Sequence, residues 1–234
     1  MNIFYTPTIN STANFVLDET ESKHAIKVLR LKQGDTIWLV DGKGNFYIAE
    51  ISNEHSKKCE VKILEKKIDT DNKPNIRIAI APTKNNDRLE WFIEKTTEIG
   101  ITEVIPIICD HSERKVLKTE RLEKRAISAM KQSLKANLPL IKEPISFKAF
   151  LNSLDYQTEK YIAHCNDESQ KHLKDIYQPG KDCLILIGPE GDFSKNEIEM
   201  ALNNGFTPVS LGKSRLRTET AGLVACNIIN LLND

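Results

Sequence analysis

The 234-residue sequence is poor in aromatic residues, at 6%, and has no net charge, 33 Lys and Arg offsetting 33 Asp and Glu. No apolar run approaches the roughly 20 residues of a bilayer-spanning helix, so no membrane partner is expected. Met1-Asn2-Ile3-Phe4-Tyr5 carries neither a basic nor an apolar leader region, so no signal peptide is expected and the chain reads as cytoplasmic. The five cysteines form no C-x-x-C pair, and the five histidines show no ligand spacing with them or with one another. That pattern argues against a structural zinc, and no metal is expected. Cysteines inside apolar runs, such as Cys109 and Cys183, read as buried, reduced thiols. There is no G-x-x-x-x-G-K-[ST], which excludes a P-loop nucleotide site. What remains, 40% hydrophobic and 28% charged, is an ordinary globular chain long enough for one or two cored domains.

The charge is neutral overall but unevenly spread. Residues 1–72 are close to balanced. Residues 111–142 carry Arg114, Lys115, Lys118, Arg121, Lys124, Arg125, Lys131, Lys135 and Lys142 against only Glu113, Glu120 and Glu123. Such a cluster is either a footprint for a polyanion or a solvated helix face, and charge counting alone does not separate the two.

The first seventy residues read as mostly β. Thr36–Val40 and Phe46–Ile51 flank Asp41-Gly42-Lys43-Gly44 as a hairpin, and Glu60–Glu65 is a third strand. A short helix near Glu21–Leu29 would align Lys23, Lys27 and Arg30 at i, i+4 and i+7. The polar stretch Asp69–Pro74 is the expected boundary, giving domains 1–72 and 73–234. Beyond it, strands at Ile76–Ala81, Val104–Ile108, Tyr161–Ala163, Leu184–Ile187 and Pro208–Leu211 alternate with helices. These helices include one opened by an Asp87-x-x-Glu90 box and closed by Gly100, and a basic one from Thr119 to about Ala136. A third is opened by a Ser194-x-x-Glu197 box, and a terminal helix has Ala221, Val224, Ala225, Ile228 and Leu232 as its apolar face. That alternation predicts an α/β domain with a mainly parallel sheet.

In such sheets ligands bind beyond the carboxyl ends of the strands. The first strand runs into Ala81-Pro82-Thr83-Lys84-Asn85-Asn86, which has no glycine and so argues against an ordinary Rossmann methyltransferase or dinucleotide site. The informative ends come late. Leu184–Ile187 runs into Gly188-Pro189-Glu190-Gly191-Asp192, where glycines allow close backbone approach and proline fixes the loop. Leu211-Gly212 leads into Lys213-Ser214-Arg215-Leu216-Arg217-Thr218-Glu219-Thr220, with two arginines, an acid and hydroxyls before a helix start. These read as two site loops on adjacent strand ends. The plainer reading of the second is a surface turn capped by Thr218 or Thr220.

Leu186-Ile187-Gly188-Pro189-Glu190-Gly191 and Leu211-Gly212-x-x-x-Leu216-Arg217-Thr218-Glu219-Thr220 resemble the two signature motifs of bacterial 16S ribosomal RNA uridine N3-methyltransferases, the RsmE-type branch of the SPOUT class. His24 with Val28-Leu29-Arg30, Gly34-Asp35 and Asp41-Gly42 resembles that family's PUA-like RNA-binding barrel. Glu94-Lys95-x-x-Glu98-x-Gly100 and Ser112-Glu113-Arg114 also match. The resemblance implies a PUA-like β-barrel and an α/β SPOUT domain with a deep trefoil knot, assembled as a homodimer. S-adenosylmethionine would be bound by Ile187, Gly188, Pro189, Glu190, Gly191, Leu211, Gly212, Leu216 and Thr220. The implied substrate is 16S ribosomal RNA, on the assembled small subunit. Lys23, Lys27, Arg30, Arg114, Lys131 and Lys135 are its expected contacts.

Methylating a uracil nitrogen requires loss of the N3 proton and stabilisation of the resulting anion. Arg217, with forked donors suited to a planar anion, is the expected stabiliser; Glu219 would orient it or accept the proton. One departure stands out. Where relatives commonly carry an acid, Gln, a small residue, Gly and Arg, this chain has Lys131-Gln132-Ser133-Leu134-Lys135. The competing class is a non-catalytic ribosome-binding or RNA-binding module, which has no use for the two late loops.

Overall fold

The computed structural model describes residues 2–9, 13–69, 73–154, 157–165 and 170–234. One unit is built from Met1–Asp71 with Ile127–Leu138, and a second from Asn72–Ala126 with Pro139–Asp234. Where a division at 72/73 is expected, the first unit ends at Asp71 and also takes in residues 127–138. There Met130 and Ala136 are buried with Ile3 and Val40, and Trp38, Phe46 and Leu138 pack beside them. Residues 70–72 of the expected linker lie outside the described residues.

In the first unit β1 (Ile3–Tyr5), β2 (Asn14–Val16), β3 (Thr36–Val40), β4 (Asn45–Asn53) and β5 (Glu60–Ile68) form a curled sheet ordered β1-β3-β4-β5-β2. Only the β1–β3 pairing is parallel. Asp41 shapes the β3–β4 turn by accepting the Lys43 and Asn45 amides at 2.8 and 3.1 Å, while Gly42 takes a φ of 77°. A core of Phe4, Leu17, Ile37, Leu39, Ile51 and Val61 fills the concave side.

Between β2 and β3, α1 (Glu19–Lys23) is capped by Asp18, which accepts the Glu21 amide at 2.8 Å. The helix then widens into a π-turn over His24–Val28, and Arg30 leaves it with a φ of 56°. The expected i, i+4, i+7 stripe of Lys23, Lys27 and Arg30 is therefore not formed. A π-turn changes the angular step per residue, and Arg30 is no longer helical.

The second unit is a parallel sheet of β6 (Ile76–Ile80), β7 (Glu103–Ile108), β8 (Leu140–Ile141), β9 (Ile145–Ser146), β10 (Glu159–Ala163), β11 (Cys183–Ile187) and β12 (Thr207–Val209). The order is β12-β10-β11-β6-β7-β8, with β9 also on β7. Every residue of β11 is buried, as an inner parallel strand covered on both faces requires. The helices are α2 (Asn86–Ile99), α3 (Thr119–Gln132, its residues from 127 on counted with the first unit), α4 (Phe147–Asn152), α5 (Leu173–Ile176), α6 (Lys195–Asn203) and α7 (Thr218–Leu231).

Of the two expected capping boxes, one does not form. Asn85, not Asp87, caps α2 by accepting the Asp87 amide at 2.9 Å. Glu90 is instead buried against Arg121 and Arg125 of α3, at 2.5 and 3.1 Å. The Ser194–Glu197 capping box of α6 forms as expected. The buried face of α7 is rotated from the expected one: Gly222, Ala225, Cys226 and Ile229 are inside, while Ala221, Val224 and Ile228 are half-buried. Gly222 decides the rotation, because a Cβ there would stand 2.6 Å from the Phe92 ring.

Candidate active site

β11 and β12 are not neighbours: both pair with β10, Ala163 lying opposite Ile187 on one side and Val209 on the other. The two late loops thus rise from either side of one strand end, a correction to the adjacent placement read from the sequence. A buried hydrogen bond joins the two motifs directly. The Thr218 hydroxyl donates to the Gly188 carbonyl at 3.0 Å. Thr218 is therefore no cap; Arg217 holds the N-cap position of α7 without a side-chain hydrogen bond, and Thr220 lies within the helix.

Neighbouring loops fix the Gly188–Gly191 segment from three sides. Glu190 accepts the Lys84 amide at 3.0 Å through Oε1, tying the segment to the loop after β6. His111, after β7, points Nδ1 at the Gly191 and Asp192 carbonyls, at 3.1 and 2.9 Å. Asp192, held at a φ of 63°, accepts the Cys165 amide beyond β10 at 2.9 Å. A Cβ on Gly191 would come within 3.1 Å of His111, and one on Gly188 within 3.1 Å of the Phe193 ring. Substitution at either glycine displaces a neighbour, and the segment's shape depends on both.

Two features here fit a small, polar, partly cationic ligand. Glu190 Oε2 is buried and has no hydrogen-bond partner. Gly212, at a φ of 124°, has open space where a side chain would be, so its backbone is approachable. Leu211 and Leu216 are half-buried on either side of it.

A cavity of about 300 Å³ is lined by Arg217, Glu219 and Thr220 from α7 and by Asp87, Arg88 and Trp91 from α2. Glu219 is only 6% exposed; its Oε1 stands 3.8 Å from Arg88 Nε, and its Oε2 has no partner. Arg217 is exposed. The two expected catalytic side chains therefore share one cavity. Sequence alone does not single out their α2 neighbours, because a half-buried Arg88 and an exposed Trp91 on an amphipathic helix give no local signal of a ligand. A second cavity, of about 370 Å³, is lined by Lys84, Glu113, Arg114, Lys115 and Val116.

The expected RNA contacts divide sharply. Lys27 and Arg30 are exposed, and Lys23 is exposed but paired with Glu19 at 2.7 Å. Arg114 is turned inward: its guanidinium donates to the Thr83 and Lys84 carbonyls, bracing one loop on another. Lys131 lies in the first unit with its ammonium 2.6 and 2.9 Å from the Glu21 carboxylate and 5.7 Å from the Phe4 ring. It is withdrawn from the open surface that RNA contact requires. Lys135 is half-buried. Among the described residues, no group of His, Cys, Asp and Glu is placed to hold a metal ion, and no helix is long and apolar enough to cross a membrane.

A family profile described as an RNA methyltransferase domain matches residues 70–230, and an RNA methyltransferase PUA domain matches 17–64. A relative in Rickettsia conorii named ribosomal RNA small subunit methyltransferase E is 30% identical over 89% of this chain and 86% of its own. A solved structure described as a probable rRNA-methyltransferase from Porphyromonas gingivalis is 45% identical. It superposes with a TM-score of 0.92, covering 100% of this chain and 98% of that one. The ribosomal RNA small subunit methyltransferase E of Neisseria gonorrhoeae, solved with S-adenosyl methionine bound, is 30% identical with a TM-score of 0.86, over 100% and 98% of the two chains. Its two late loops, joined by a buried hydrogen bond, and the near full-length matches carry the conclusion that the chain belongs to the RNA methyltransferase family of the ribosomal RNA small subunit methyltransferases E.

Proposed function

We propose that this protein transfers a methyl group from S-adenosylmethionine to N3 of a uridine in 16S ribosomal RNA, acting in the cytoplasm on the assembled small subunit. One observation carries the reading: Arg217 and Glu219 share a cavity at the start of α7, and that start is hydrogen-bonded to the glycine loop through Thr218 and Gly188. A binding module gains nothing from that junction.

When bound, S-adenosylmethionine supplies an electrophilic methyl on a sulfonium. Ile187 to Gly191, Leu211, Gly212, Leu216 and Thr220 would hold it, largely through backbone groups, and the unpartnered Glu190 oxygen suits its ammonium or hydroxyls. Glu219, buried and with one free oxygen, accepts the N3 proton. Arg217 donates to the uracil oxygens as charge develops on them, and the fixed loop geometry aligns nitrogen and methyl. The first unit, through Lys27 and Arg30, holds the RNA backbone. The reading includes the trefoil knot that the resemblance implies in the domain from about residue 73 onward. It also includes a homodimer, for which the half-buried Val224 and Ile228 and the 69%-exposed Leu231 of α7 supply an apolar face.

Ribosomal RNA from a strain deleted for this protein should lack one 3-methyluridine by mass spectrometry, and the purified protein should restore it on isolated small subunits. An unchanged modification profile in the deletion strain rejects the reading. Light scattering showing a stable monomer at micromolar concentration rejects the dimer.

A further inference from the structure

We propose that Arg88 and Trp91 of α2 complete, with Arg217 and Glu219, a pocket for one uracil ring, and that the sequence guanidinium–carboxylate–guanidinium around it selects uracil over cytosine. The proposal rests on the uridine reading above and names the residues that would make the choice. It starts from an unmet hydrogen-bonding demand. Glu219 Oε2 is buried without a donor in a residue only 6% exposed, a costly arrangement unless a ligand supplies that donor. Arg88 Nε stands 3.8 Å from Oε1, close enough for attraction but too far for a hydrogen bond, so its N–H groups remain available to a ligand beside the carboxylate. Arg217, whose side chain is exposed, lines the same cavity.

The pairing edge of uracil reads carbonyl, N–H, carbonyl: acceptor, donor, acceptor. With Arg88 beside the Glu219 carboxylate and Arg217 on the same cavity wall, a ring seated among the three would meet donor, acceptor, donor, its complement. Cytosine presents a lone pair at N3 and an amino group at C4. It would set a lone pair against Glu219 and N–H groups against a guanidinium, leaving both protein groups unmatched. The remaining wall suits a ring face. Trp91 is 41% exposed despite its size, and its indole lines the cavity next to Arg88, one helical turn back. An indole face accepts any base by stacking, so Trp91 supplies affinity while the charged triplet supplies choice.

The sequence contains two tryptophans, so in a Trp38→Phe background Trp91 is the sole indole. The full-length variant, with S-adenosylhomocysteine present, is titrated with uridine 5′-monophosphate and with cytidine 5′-monophosphate while its fluorescence is followed. Uridine monophosphate should quench with an affinity about tenfold or more above that of cytidine monophosphate, and Glu219→Gln should erase most of the difference because an amide can offer either a donor or an acceptor. Equal quenching by the two nucleotides, or none by either, overturns the proposal.

On small subunits, Trp91→Ala should lower single-turnover methylation by about 10- to 100-fold while Trp91→Phe keeps most of the rate. A Trp91→Ala protein that changes its sedimentation coefficient yet methylates normally would put Trp91 in a protein contact and overturn the proposal too. Product identity is read separately. A wild-type product other than 3-methyluridine defeats the functional reading, whereas loss of nucleotide discrimination with 3-methyluridine still formed defeats only the pocket.

Discussion

The basic stretch 111–142 and the loop 213–217 are both rich in cations, but they differ in how many of those cations are already paired. In the first, Arg114 is spent on two backbone carbonyls, Arg121 and Arg125 on the buried Glu90, Lys131 on Glu21 and Lys142 on Glu103, while Lys115, Lys118 and Lys124 stay exposed. In the second, Lys213, Arg215 and Arg217 are all exposed, and among the described residues none of them pairs with a carboxylate. Local net charge therefore says little about where a polyanion binds. Pairing decides, because a cation already matched to a carboxylate has given up most of the field it could offer.

The sharpest way to break that comparison is to remove one cation from each set. Arg217→Ala should lower single-turnover methylation by about 10²-fold or more, roughly 3 kcal/mol of transition-state stabilisation, with cofactor affinity and melting temperature little changed. Unaltered turnover would remove Arg217 from the mechanism. Lys131→Met should do the reverse, leaving the chemistry alone and destabilising the protein by about 3 kcal/mol, because the largely buried Glu21 carboxylate loses its cation. Adding Glu21→Gln should recover most of that loss in a chemical melt, since the uncompensated charge is then gone.

A milder pair of variants sharpens the same contrast on RNA. Lys27→Ala and Arg30→Ala should each reduce the dependence of log affinity on log salt by about one unit, the signature of one lost phosphate contact. Arg121→Ala, from the paired set, should leave that slope unchanged. Equal slopes for all three variants would mean that pairing does not predict RNA contact.

How much of this was legible in the sequence follows the same division between local and non-local information. The β3–β4 hairpin, the inner strands β6, β7 and β11 and the capping box of α6 were readable, because each is signalled by residues within a few positions of itself. β1, β2, β8 and β9 were not, being two or three residues long, too short to show a period. The separation of β11 from β12 by β10 leaves no trace in either strand. Hydrophobicity alone points the inner face of α7 at Val224 and Ile228, whereas the close approach of Phe92 admits only Gly222. At the site, the loops carrying Gly188, Gly191 and Gly212 were evident from glycine placement. Arg88 and Trp91 were not, since only tertiary packing brings them to Glu219.

The Lys131–Lys135 departure, finally, has a physical account in the first unit, and it sets the smallest expected effect. α3 ends in a Schellman turn: the Lys135 amide donates to the Met130 carbonyl at 3.0 Å, and the Leu134 amide to Lys131 at 3.3 Å. Leu134 holds the left-handed position of that turn, with a φ of 57°. The family resemblance leads one to expect glycine at this place, and a side chain there crowds its own carbonyl. Leu134 is 49% exposed and belongs to neither of the first unit's buried clusters, so shortening it to alanine should cost only a few tenths of a kcal/mol. Leu134→Gly should then be more stable than Leu134→Ala by about 1 kcal/mol, roughly 2–4 °C in melting temperature for a chain of this size. In an ordinary helix interior the same comparison has the opposite sign, glycine being about 1 kcal/mol worse than alanine. Because the two variants differ by one methyl group, the sign alone decides. A glycine variant melting below the alanine one would show that the turn relaxes out of the left-handed region, and that the missing glycine carries no strain.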